Sequence, residues 1–211
     1  MWQGGNPFCK EVEYQSDAAA CLQFAVRDKP ELVSKSRHKR GGAFNAGFTI
    51  AAGLGVYANA HARHVSHVTA VDVSEKMLEF AKINAAEANV DDVTFRATSI
   101  ESFEAADGSY DAVLMLSLLH LLENPRAALD KAHRLLKPGG LLITSTACLG
   151  DSMRWFGMIA PVGAALGLIP KVQFLFVEEL RSEIADRGFA SLEEFNQGDN
   201  RTYFQIARKL A

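Results

Sequence analysis

The sequence predicts an α/β domain: three layers around a mostly parallel seven-strand sheet, closed by an antiparallel hairpin at the C-terminus. Three observations carry this. From Thr49 onward, short apolar, β-branched runs alternate with segments of helical period. The helical segments are long enough to serve as right-handed crossovers between parallel strands. The final stretch, "SLEEFNQGDNRTYFQIARK", instead reads as two strands about a QGDN turn. With 211 residues the chain is expected to be one domain over residues 1–211, large enough to bury a core.

The elements follow in order. "FTIAAGLGVYANAH" (48–61) is an apolar run that breaks into alternating glycines, and "HVTAVDV" (67–73) is a buried strand. Ser74 is a good N-cap for the helix of "SEKMLEFAKINAAEA", whose stripe is expected to be Met77, Leu78, Ala81 and Ile83. "DVTFRATS" is the next strand, and "DAVLMLSLLHLL" is a strand running into a loop or helix start. "PRAALDKAHRLL" is amphipathic, with Ala128, Leu129, Ala132, Leu135 and Leu136 facing inward. "KPGG" should stop that helix before the strand "LLITST", and Gly188 should end the helix of "VEELRSEIADRGF". Residues 1–45 carry little periodicity beyond a helix around "DAAACLQFAV" and read as an irregular N-terminal segment.

Composition excludes several classes. A net charge of −3, with 48% hydrophobic and 22% charged residues, gives no electrostatic footprint for nucleic acid. The basic cluster "KSRHKRGG" is short and reads as a solvated loop. The longest uncharged run, Trp155 to Pro170, is too short to span a bilayer and is interrupted by Pro161. Cys9, Cys21 and Cys148 are odd in number and lack C-x-x-C spacing, which suggests reduced thiols and a cytoplasmic setting. The N-terminus has no signal-peptide pattern. In "HARHVSH", His61, His64 and His67 are three residues apart, so on a helix they drift around the surface; no metal is expected there.

The glycine stretch is where a ligand would sit. In an open α/β sheet, ligands bind beyond the carboxyl ends of the strands, where the strand order reverses. A turn there needs glycine to reverse sharply and to let backbone amides approach the ligand. Gly53 and Gly55 occupy that position, and Asp72 ends the next strand, where a carboxylate can accept hydrogen bonds from ribose hydroxyls. "GLGVYA" with Asp72 also satisfies a dinucleotide fingerprint, so a nicotinamide-dependent oxidoreductase is an alternative.

From Thr49 to Lys209 the chain resembles the class I S-adenosylmethionine-dependent methyltransferases of the small-molecule type. "TAVDVSEKMLEFAK", "VTFRATSIESF", the strand "DAVL" and "LLKPGG" before a strand carry the resemblance. It implies a Rossmann-like methyltransferase fold, S-adenosylmethionine as cofactor, and methyl transfer to a small, apolar acceptor. The family's turn is acid-x-Gly-x-Gly-x-Gly; here Thr49 stands at the acid, Ala51 at the first glycine, and Gly53 and Gly55 at the other two. The resemblance assigns Asp72 to the ribose and Val73, Ser99 and Ile100 to the adenine. It places the backbone of Met115 and Leu116 beside the cofactor's amino group. The altered turn leaves three readings open: working cofactor binding, a catalytically inactive methyltransferase-like binding domain, or a reading frame that slipped upstream of Thr49.

Methyl transfer needs a general base only when the acceptor must lose a proton. His120, just after the fourth strand, is the candidate catalytic residue. The insertion at 150–175 falls where the family often builds a substrate cap, and Trp155, Phe156, Met158, Ile159, Leu166 and Leu168 could line an apolar pocket. A small-molecule substrate, no nucleic acid, no membrane span, and a monomer or homodimer complete the expectation.

Overall fold

The computed structural model describes residues 46–50, 52–63, 65–148, 150, 173–197 and 202–211. Residues 1–45, Ala51, His64 and the cap residues Trp155 to Leu168 lie outside the described residues.

A seven-stranded sheet forms the centre of the molecule. Its strands are β1 (Ala46–Ile50), β2 (His67–Asp72), β3 (Val93–Ala97), β4 (Tyr110–Leu116), β5 (Leu136–Ala147), β6 (Phe189–Gln197) and β7 (Thr202–Lys209). The spatial order is β3-β2-β1-β4-β5-β7-β6. Strands β1 to β5 pair in parallel, and β7 runs antiparallel to both β5 and β6, as the tail predicted. Helices α1 (Val56–Ala62) and α2 (Glu75–Glu87) cover one face, while α3 (Pro125–Leu135) and α4 (Val177–Asp186) cover the other.

The core follows the period-2 alternation of the strands. Val113 and Met115 face α3 and α4, which contribute Leu129, Leu135, Leu180 and Ile184. Leu114 and Leu116 face the α1 side with Ile143, Phe204 and Ile206. Phe48 stacks between Phe103 and Tyr110, with centroids 4.5 and 5.0 Å away, and fixes β1 at the centre of the sheet.

Two local expectations need correction. Helix α2 buries Leu78, Ala81 and Ala85, whereas Met77 and Ile83 are 44% and 53% exposed. Spacings of three and seven put 78, 81 and 85 on one line; 77 falls to one side of it and 83 on the opposite face. Helix α3 ends at Leu135, just before "KPGG" as expected, but β5 begins at Leu136 instead of at "LLITST" and carries these residues through an irregularity in its pairing with Tyr110 to Ala112. Gly139, at φ +78°, takes up that bend. His61 is buried on α1 against Gly47, and His67 opens β2 with its Nε2 3.0 Å from the Thr94 hydroxyl, so these two belong to separate elements.

Candidate functional site

Strand order reverses between β1 and β4, and the crevice beyond their carboxyl ends is the switch point of the sheet. After β1 the chain turns tightly: the Ala52 N–H donates to Val71 O (3.0 Å) and the Gly55 N–H to Ala52 O (2.8 Å). Both glycines take positive φ, +51° at Gly53 and +78° at Gly55, for different reasons. At Gly53 nothing among the described residues lies within 4 Å of where a Cβ would stand, so that side of the turn has room for a ligand. At Gly55 a Cβ would come within 2.9 Å of the Ala81 Cβ, so this glycine lets α1 pack onto α2.

Asp72 ties this turn to the end of β2. Its Oδ2 accepts the Gly53 N–H and its Oδ1 the Ser74 N–H, each at 2.9 Å. The carboxylate is thereby held in place at the switch point, and each oxygen keeps acceptor capacity for a further donor. Val73, 76% exposed, forms an apolar surface beside it. Thr49 is buried, and its hydroxyl has no hydrogen-bond partner among the described residues, so the end of β1 holds an unsatisfied polar atom just before the turn.

The remaining predicted cofactor residues are distributed unevenly. The Ser99 hydroxyl accepts the Ser102 N–H (3.2 Å) and contacts the Ser102 hydroxyl (3.4 Å), so it closes its own turn. Ile100, Met115 and Leu116 have buried side chains in the core, and Met115 and Leu116 also pair with β5 through the sheet ladder. Ala51 lies outside the described residues.

One residue escaped the sequence reading. Ser117, directly after β4, has φ +53° and an exposed side chain, while Leu116 and Leu118 on either side are buried. Its N–H donates to Ser145 O (2.8 Å). A non-glycine residue held left-handed at a strand end costs about 1–3 kcal/mol, and such costs concentrate at functional sites. The available signal was a lone serine inside the apolar run "AVLMLSLLHLL".

On the acceptor side, His120 lies in a short 3-10 turn (Leu119–Leu121). Its Nδ1 accepts the Ala147 N–H at 3.4 Å and lies 3.4 Å from the Thr146 hydroxyl, both at the end of β5. An N–H can only donate, so this contact leaves the lone pair at Nδ1 and the proton at Nε2. Burial lowers the pKa of His120 below its ordinary 6.5 and keeps the ring neutral. Beside this turn a cavity of about 260 Å³ opens between the start of α3 and α4, floored by Leu129, Leu175 and Leu180 and rimmed by Glu123, Arg126 and Glu179. It contains none of the predicted cofactor residues.

These residues fit an S-adenosyl cofactor: a fixed carboxylate for the ribose diol, an open glycine for close backbone approach, and an exposed apolar residue for the adenine. The dinucleotide alternative fits less well. Beyond β5 the sheet continues as an antiparallel pair, β7 then β6, instead of a second parallel half.

Comparison with known proteins agrees. A family described as "Methyltransferase domain" matches residues 48–144. The chain is 29% identical over 166 residues to a ubiquinone biosynthesis O-methyltransferase of Paracidovorax citrulli, covering 77% of this chain and 68% of that protein. It is 33% identical over 125 residues to the protein of the same name from Xylella fastidiosa, covering 58% and 49%. The chain thus spans 68% of the length of the first relative and about half (49%) of the second. Among solved structures, N-methyltransferase NodS from Bradyrhizobium japonicum, in complex with S-adenosyl-L-homocysteine, superposes with a TM-score of 0.67 at 18% identity, over 97% of this chain and 93% of that one. The [4+2]-cyclase SpnF gives 0.69 at 18% identity, over 95% and 85%. The sheet order and these superpositions give the chain the Rossmann-like fold of the class I S-adenosylmethionine-dependent methyltransferases, and the methyltransferase family model matches just under half of it.

Proposed function

We propose that this chain methylates a hydroxyl group of a small, largely apolar acceptor. The observation that carries the reading is the Asp72 carboxylate, held by the Gly53 and Ser74 amides at the switch point of the sheet. Asp72 would hold the ribose, the Gly53 backbone would pass close to the nucleoside, and Val73 would pack on the adenine. When bound, S-adenosylmethionine supplies an electrophilic methyl group on a sulfonium, so the protein's task is to position and desolvate the acceptor.

The choice of oxygen rests on His120 and on the curated relatives, both named O-methyltransferases. A hydroxyl becomes a good nucleophile as it loses its proton. His120 is neutral, and its Nδ1 contacts are long enough to yield to a stronger partner. An acceptor hydroxyl at the end of β5 would pass its proton to Nδ1, directly or through the Thr146 hydroxyl. The cavity of about 260 Å³ sets three leucines among mostly polar lining residues and suits a small acceptor that joins an apolar body to polar groups.

The second reading, a binding domain without catalysis, is favoured by Thr49: its buried, unpartnered hydroxyl stands where the family places an acid. Calorimetric titration with S-adenosylhomocysteine tests both. Micromolar binding that is lost in Asp72→Ala supports the methyltransferase. A folded wild type that binds no S-adenosylhomocysteine sinks it in favour of the inactive domain.

A further inference from the structure

Helix α2 carries apolar residues on two faces. Leu78, Ala81 and Ala85 point into the core, yet Phe80 and Ile83 are 49% and 53% exposed. Isolated surface apolar residues are ordinary, but these belong to a pattern. Lys76, Phe80, Ile83 and Glu87 are spaced i, i+4, i+7, i+11, so at about 100° per residue they form one stripe along the outside of the helix. Met77, Leu54 and Val56 are 44%, 41% and 49% exposed and extend the apolar surface toward α1. The Asn84 side-chain amide, donating to Leu54 O (2.9 Å), brings that turn against α2.

The charges at the two ends of the stripe run against the helix dipole. Lys76 sits in the first turn, where an anion is favoured, and Glu87 is the last residue, where a cation is favoured. Neither makes an ion pair among the described residues. We propose that this stripe is a two-fold interface with a second copy of this chain, α2 packing antiparallel on α2. An axis between Ala81 and Lys82 sets Phe80 against Ile83 of the partner subunit and Lys76 against Glu87 of the partner subunit. Symmetry repeats both contacts. A parallel arrangement would instead oppose Lys76 to Lys76 and Glu87 to Glu87, so the charges select the antiparallel one. The site is accessible to a second copy because α2 lies beside β3, and β3 is the edge strand of the sheet. One helix pair is a small interface, so the dimer is reversible and concentration-dependent.

Sedimentation equilibrium across roughly micromolar to hundreds of micromolar protein tests this, with far-UV circular dichroism to confirm folding. The wild type should shift from monomer to dimer. Phe80→Glu should remain monomeric throughout. Lys76→Glu and Glu87→Lys should each weaken association about tenfold or more while leaving thermal stability equal or higher, since each change suits the helix dipole. Combining the two reversals restores both cross-pairs and should recover the dimer. Three results overturn the proposal: a wild type that stays monomeric, a dimer that survives Phe80→Glu, or single reversals that the double variant does not rescue. None of these bears on cofactor binding, so a failure here leaves the methyltransferase reading intact.

Discussion

Two residues at the strand ends show how much one side chain can do. Ser117 is held at φ +53° by its place at the end of β4 and by its bond to Ser145 O. Ser117→Gly should relieve that conformation and stabilise the protein by about 0.5–1 kcal/mol, read as a higher urea midpoint with unchanged slope. Ser117→Val should cost about 1–3 kcal/mol, because a β-branched residue tolerates the left-handed region poorly. His120 offers a pH test. Its pKa is lowered in the folded state, so the unfolded chain binds its proton more readily. The sign follows from linkage: its contribution to stability is intact above about pH 6.5 and declines as pH falls below that value. If His120 is the base, the acid limb of kcat/KM should have its midpoint below 6.5, and His120→Gln should abolish that limb.

At the scale of elements, the glycine turn separates two roles that look identical in the sequence. Gly53→Ala meets no neighbour among the described residues, so it should cost about 1–2 kcal/mol for its positive φ, while its methyl group fills the open side and weakens S-adenosylhomocysteine binding by tenfold or more. Gly55→Ala meets the Ala81 Cβ at 2.9 Å on a packed helix that cannot yield easily, and should cost about 2–4 kcal/mol. Denaturation and calorimetry on the two variants separate these outcomes. The sequence made the elements legible because strands and helices have distinct hydrophobic periods, and because Asp72 stands at a fixed offset from the glycines. The faces of α2 were less legible: Met77, Leu78, Phe80, Ala81 and Ile83 are all apolar, and composition does not say which line meets the sheet. Ser117 was missed because backbone conformation leaves little trace in residue type unless the residue is glycine.

At the scale of the whole molecule, the far end of the sheet is secured by a polar network instead of by core packing alone. The Tyr203 hydroxyl on β7 donates to Glu194 Oε2 on β6, and Arg181 on α4 binds the same oxygen at 2.9 Å with its guanidinium 5.9 Å from the Tyr203 ring centroid. Helix α4 and the hairpin, which nothing in their separate periodicities links, are joined there. Burial pushes the Glu194 carboxyl up, but the Tyr203 and Arg181 hydrogen bonds together hold it below its ordinary range. The network therefore stabilises the fold above about pH 4.5, and its contribution is lost as pH falls through the depressed value. The partners are unequal in what they leave behind. Tyr203→Phe leaves Glu194 paired with Arg181 and partly hydrated, and should cost about 1 kcal/mol. Glu194→Ala removes the acceptor of the hydroxyl of a tyrosine that is only 1% exposed, leaving it Arg181 alone, and takes a carboxylate partner from Arg181; it should cost about 1–3 kcal/mol. The double variant should cost less than the sum, because each single change already breaks the hydrogen bond the two side chains share. Urea denaturation of the four proteins reads all of this; equal single losses that simply add would show that the hydroxyl and carboxylate are not coupled.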